Sequence, residues 1–183
     1  TKDNKSTIIV GAPRKFENSI RNSVYVIENG SILTCRDKYE LPNTGVFDEQ
    51  RIFNAGKLSG PVNIKGIKIG IPICEDIWKE DVTECLVESG AEIIISINAS
   101  PYTLNKKNER LSVVISRIRE NKIPIVYLNR YGGQDELVFD GASFSLNCDG
   151  SIFQSSKSFE KEISIITFNK AKNWFGTGKI VNS

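Results

Sequence analysis

An α/β domain built on a parallel sheet is the fold class this sequence predicts, and three observations predict it. Apolar, β-branched runs at residues 67–73, 92–98 and 125–129 are separated by two stretches with helical spacing, the pattern of strand–helix–strand units. Such units are parallel and right-handed. The ends of the three runs, at Cys74, Ser100 and Asn129, therefore fall on one edge, where open α/β sheets build their sites.

Taken in order, residues 7–10 form a short β-branched strand that Gly11, Ala12 and Pro13 are expected to end. Residues 23–27 and 31–34 flank Asn29-Gly30, whose positive φ angles make a hairpin turn. Residues 36–51 keep no period and carry Pro42, Asn43 and Gly45, so an irregular loop is expected, with Lys38 at its start. Turns follow at 56–60 and 63–66, and the next strand delivers Cys74. Val82, Cys85 and Leu86 mark an amphipathic helix that Gly90 stops. A longer helix spans 104–120, with Leu111, Val114, Ile115 and Ile118 on one face. Residues 130–141 read as a glycine-rich, acidic loop without the Lys of a phosphate loop. A meander of short strands, at 142–146, 151–154 and 163–168, closes the domain, and 169–183 reads as a tail or linker.

Composition excludes several classes. A net charge of +2 with dispersed Lys and Arg gives no electrostatic footprint for nucleic acid or an anionic membrane. No apolar run reaches the roughly 20 residues of a bilayer span, and the opening Thr1-Lys-Asp-Asn-Lys-Ser6 is not a signal peptide, so a cytoplasmic address is expected. The 4 cysteines lack metal-site or disulfide spacing and read as free thiols. Histidine is absent, so a cysteine nucleophile here has no Cys-His pair and needs another base, for which carboxylate and lysine are what remain.

Cys74 is the residue around which chemistry concentrates. A sulfur at a strand's carboxyl end, beside outward-facing N–H groups, suits attack on a carbonyl whose oxygen those groups receive. A small buried core residue is the alternative, and the ordinary one for a lone cysteine. For Lys38 the alternative is a solvated surface lysine. For Glu75 it is placement at a helix start, where a carboxylate meets the dipole favourably.

Read together, Leu41-Pro-Asn43, Gly45-Val-Phe-Asp-Glu49, Pro72-Ile-Cys-Glu-Asp-Ile-Trp78, Asn98-Ala-Ser-Pro101, Glu109-Arg110 and Gly132-Gly-Gln-Asp-Glu-Leu-Val-Phe-Asp-Gly-Ala-Ser143 resemble the nitrilase superfamily. Within it they resemble the glutamine-hydrolysing domains of glutamine-dependent NAD synthetases, over residues 7–168. The resemblance implies an α-β-β-α sandwich, incomplete at its N-terminus, and a Cys-Glu-Lys triad. It gives Cys74 the nucleophile's place and Lys38 that of the lysine steadying the oxyanion. Glu75 and Ser100 resemble substrate-amine contacts, and Trp78 and Thr44 pocket walls, Thr44 standing where the subgroup has tyrosine. The family's base glutamate follows an early Phe-Pro-Glu type motif that Glu17, Glu28 and Glu40 do not match. The resemblance further implies self-association and an ATP- and Mg-using synthetase domain in the parent protein, with no cofactor or metal in this domain.

Three functions follow from these readings. The first is a glutamine amidohydrolase domain, expected to be inactive or nearly so by itself. The others are a free-standing carbon-nitrogen hydrolase acting on an ω-amide or carbamoyl compound, and a non-catalytic interaction module.

Overall fold

In the computed structural model, which describes residues 1–2 and 6–181, two sheets stack face to face and two helices cover one of them. Residues 3–5, in the opening segment, and 182–183, in the expected tail, lie outside the described residues. The smaller sheet is an antiparallel meander of β1 (Ile8–Phe16), β2 (Ser19–Glu28) and β3 (Ser31–Asp37). Asn29 and Gly30 turn the second hairpin with φ of 51° and 75°, as the Asn-Gly pair predicts. The first strand does not stop at Gly11. It runs through Pro13, which pairs with Asn22, because β1 is an edge strand and an edge tolerates the missing N–H.

The larger sheet contains β4 (Val62–Ile64), β5 (Ile67–Gly70), β6 (Ile93–Asn98), β7 (Ile125–Asn129), β10 (Phe144–Leu146) and β11 (Ile152–Ser155). Strands β5, β6 and β7 are parallel neighbours, with Ile69 opposite Ile93 and Ile94 opposite Ile125. Helices α1 (Glu80–Glu88) and α2 (Lys106–Asn121) are the crossovers. Gly90, at φ 92°, ends the first of them. Where a loop is expected at 130–141, β8 (Tyr131–Gln134) and β9 (Leu137–Asp140) form a hairpin turned at Asp135, whose φ is 51°. Of its residues only Phe139 and Asp140 are buried, which is why its composition reads as loop. The expected tail also carries structure: β13 (Phe175–Val181) pairs antiparallel with β12 (Ile163–Asn169).

Alternation along β6 explains the layers. Ile94 joins Val82, Leu86, Val114, Ile118 and Ile125 in the core under the helices. Ile95 and Ile97 face the other way, onto a second core that Val24 and Val26 of β2 share with Ile69, Ile71 and Ile73. These α, β and β layers are ones that the resemblance to the nitrilase superfamily implies. Gly70 sits directly against the first core. A Cβ there would stand 3.2 Å from Leu86 Cδ1 and closer still to Ile94. Gly70→Ala is expected to cost about 1–3 kcal/mol by overpacking, read as a lower urea midpoint with an unchanged slope.

Candidate active site

Strand β5 leads through Pro72 to Ile73, which bridges to Ile97 of β6, and the chain then turns sharply. Cys74 makes that turn with φ 49°, a left-handed conformation that a side chain with a Cβ adopts only under strain of about 1–3 kcal/mol. What holds it is local and specific. Asp76 N–H donates to the Ile73 carbonyl at 3.1 Å, and Ile73 N–H donates to Asp76 Oδ2 at 2.9 Å. The turn starts a short 3-10 helix, Cys74–Trp78, and leaves Cys74 on the wall of a cleft of about 400 Å³.

Five of the six residues singled out from sequence line that cleft, Cys74, Glu75, Trp78, Ser100 and, in the loop at 42–47, Thr44. Lys106 of α2 closes one side, its ammonium 4.3 Å above the Trp78 ring. Ser100 is turned partly inward. Its hydroxyl accepts from Arg110 Nε at 3.0 Å, and its N–H donates to Asn129 Oδ1 at 2.9 Å. The three strand ends thus meet as the parallel sheet predicts, with Asn129 behind Ser100.

Lys38 lies behind the cleft wall and is buried, 1% exposed. Its ammonium donates to Glu49 Oε1 at 2.6 Å, so the surface-lysine alternative does not hold. Burial pushes the Cys74 thiol above its ordinary range; the Lys38 ammonium pulls it down, and Glu49 and Glu75 push it up. Burial is the largest of these influences, so the balance favours the protonated sulfur. Attack by it therefore needs a proton acceptor in the same step.

Three participants escaped the sequence reading. Glu49 is the first, 11 residues beyond Lys38 in an irregular segment; the signal for it was the need of a buried ammonium for a partner. Asp76 is the second, a buried carboxylate that accepts three backbone N–H groups; burial pushes its carboxyl up to about 6. Third is the buried pair of Arg110 and Asp140, 2.8 Å apart, beneath the Ser100 turn.

The profile of the carbon-nitrogen hydrolase family matches residues 1–172. Curated relatives include the glutamine-dependent NAD(+) synthetases of Rhodobacter capsulatus, 37% identical over 90% of this chain, and of Aquifex aeolicus, 40% identical over 88%. The chain spans only 30% and 29% of their lengths. A solved glutamine-dependent NAD+ synthetase from Acinetobacter baumannii, in complex with ADP, superposes with a TM-score of 0.88 at 33% identity, over 97% of this chain and 33% of that one. A carbon-nitrogen hydrolase from Helicobacter pylori shares the fold, with a TM-score of 0.79 at 23% identity over 86% of this chain and 60% of its own. A cysteine forced into a left-handed turn beside a buried lysine, on a backbone that superposes so closely, agrees with the profile match: the chain belongs to the carbon-nitrogen hydrolase family.

Proposed function

We propose that this chain is the glutamine-hydrolysing part of a glutamine-dependent NAD synthetase, supplying ammonia to an ATP- and Mg-using synthetase domain of the same parent protein. The observation that carries the reading is the cleft itself. Cys74 opens onto it together with Glu75, Trp78, Thr44 and Ser100, and a buried lysine acts on the sulfur from behind. The names of the relatives support the choice of amide.

In this mechanism Cys74 Sγ gives up its proton and attacks the side-chain carbonyl carbon of glutamine. The C–S bond forms as the carbonyl electron pair moves onto oxygen, where Lys38 Nζ and the N–H of Glu75 hold it. Collapse breaks the C–N bond, and the nitrogen leaves with a proton as ammonia. Water then cleaves the thioester to glutamate and restores the thiol. Glu75 and Ser100 receive the substrate amine, while Trp78 and Thr44 wall its aliphatic stem. The proton acceptor is a glutamate of the Cys-Glu-Lys set. Glu49 is occupied by Lys38, and Glu17, Glu28 and Glu40 do not match the motif, so turnover by these 183 residues by themselves is slow or absent.

An electrophilic glutamine analogue tests the reading, with intact mass and peptide mapping as readout. One adduct at Cys74, suppressed by glutamine and absent from Cys74→Ala, is expected. Equal labelling of Cys35, Cys85, Cys148 and Cys74, with no protection by glutamine, would overturn it.

A further inference from the structure

The Asp76 carboxylate does more than a capping residue requires. Its Oδ2 accepts the Ile73 N–H at 2.9 Å, an ordinary cap for the short helix that starts at Cys74. Oδ1 has no part in that cap. It accepts the N–H groups of Tyr39 at 3.1 Å and Glu40 at 2.8 Å, the two residues that directly follow Lys38. Lys38 itself is held upstream, its N–H donating to the Asn22 carbonyl and its carbonyl accepting from Gly56, both at 2.7 Å. One buried carboxylate, 3% exposed, therefore joins the turn that carries the sulfur to the segment that carries the ammonium.

A negative charge is a poor choice for packing at this point. Burial penalises it, and the three N–H groups and Lys38 only partly offset the penalty. Nor does it serve the sulfur by charge, since a carboxylate near a thiol favours the protonated form. Arg36, Asp37 and Lys57 line the small cavity beside it, and the Lys38 charge also acts on it. What this carboxylate provides that a neutral side chain of its size does not is simultaneous acceptance from its own turn, at Ile73, and from the adjacent residues Tyr39 and Glu40, 37 and 36 positions earlier.

We propose that Asp76 is a positioning residue that sets the Lys38 ammonium against the Cys74 sulfur by tying the two backbones together. It touches neither substrate nor reacting atoms and acts through Lys38. The inference rests on Cys74 and Lys38 working as a pair, as in the proposed function, but not on glutamine being the amide.

The sign of one measurement separates positioning from charge. Removing a nearby carboxylate by Asp76→Asn makes Cys74 more acidic if charge alone matters. If position matters, Lys38 drifts from the sulfur and Cys74 becomes less acidic.

The test is the second-order rate of Cys74 alkylation by iodoacetamide across pH, on the 183-residue chain and its variants, with circular dichroism to establish folding. Iodoacetamide needs no glutamine pocket. For Asp76→Asn we expect the inflection to rise by roughly one unit and the rate at pH 7.5 to fall roughly tenfold. In a Lys38→Met background the same substitution is expected to change the rate less than twofold, because the lysine it acts through is gone. Equal effects in both backgrounds, or a lower inflection in Asp76→Asn, would overturn the proposal.

Should Asp76→Asn and Asp76→Glu both fail to fold, hydrogen exchange of the unsubstituted chain decides. Protection of the Tyr39, Glu40 and Ile73 amides as one group supports the tie; free-loop exchange at Tyr39 and Glu40 beside a protected Ile73 refutes it. A non-additive cycle without glutamine protection would keep Asp76 in its role and remove only the choice of substrate.

Discussion

Arg110→Met is expected to lower folding stability by about 3–5 kcal/mol, the cost typical of leaving one member of a buried ion pair alone. Arg110 is 1% exposed and Asp140 2%, so neither charge has recourse to water. The guanidinium is used at every nitrogen. Nη1 donates to Asp140 Oδ1 at 2.8 Å, Nε donates to the Ser100 hydroxyl at 3.0 Å, and Nη2 donates to the carbonyls of Ser100 at 2.7 Å and Pro101 at 3.0 Å. Methionine fills much of the volume but returns none of these bonds, and the Asp140 carboxylate is left buried without its cationic partner. The damage is directional, because the freed carbonyls belong to the turn after β6 that lines the cleft. A second substitution separates charge from packing. Arg110→Met with Asp140→Leu is expected to recover more than half of the loss, since an apolar pair avoids the desolvation that the ion pair suffers. Urea unfolding of the two single variants and the double gives the cycle. A single-variant loss below about 1 kcal/mol would mean that water reaches the pair in solution.

That pair also shows where sequence reading stops. Local signals carried far: Asn29-Gly30 fixes a hairpin through two positive φ angles, and the runs around Ile69, Ile94 and Ile125 declare a parallel sheet because strands buried on both faces have no polar side to show. The turn that carries Cys74 was legible for the same reason, since a turn must follow a buried strand. Signals that depend on what lies opposite did not carry. Pro13 looks like a stop until β1 proves to be an edge. The acids and glycines of the β8–β9 hairpin look like loop because its polar positions face out. Arg110 has the pattern of a surface helix residue; only the fold brings Asp140 beneath it, 30 positions later. Glu49 and Asp76 sat inside motifs that had been recognised, yet a motif names residues without saying which backbone amides or ammonium they will meet.

The strongest effect on chemistry is expected from Lys38→Met. The lysine side chain is fully buried, and methionine matches its stem, so the loss is confined to the ammonium. Glu49 loses its partner at 2.6 Å, but its own side chain is 17% exposed and hydrates, so the stability cost stays well below that of Arg110→Met. Two changes at the sulfur follow. First, the charge that opposes burial disappears, and the Cys74 thiol, already raised, rises further. Alkylation by iodoacetamide near neutral pH slows in proportion to the thiolate lost. Second, the oxyanion of a tetrahedral adduct keeps only backbone donors, and removing one such electrostatic contact costs about 10²–10³ in rate. The two are separable, because the first is recovered at high pH and the second is not. Labelling by the glutamine analogue is therefore expected to remain slow in Lys38→Met at a pH where iodoacetamide reacts as fast as with the unsubstituted chain. Lys38→Arg should not restore it, since a planar fork does not reproduce the point charge of an ammonium held at 2.6 Å from Glu49. If the analogue recovers together with iodoacetamide, Lys38 tunes the thiol alone, and the oxyanion must be held by the backbone after Cys74.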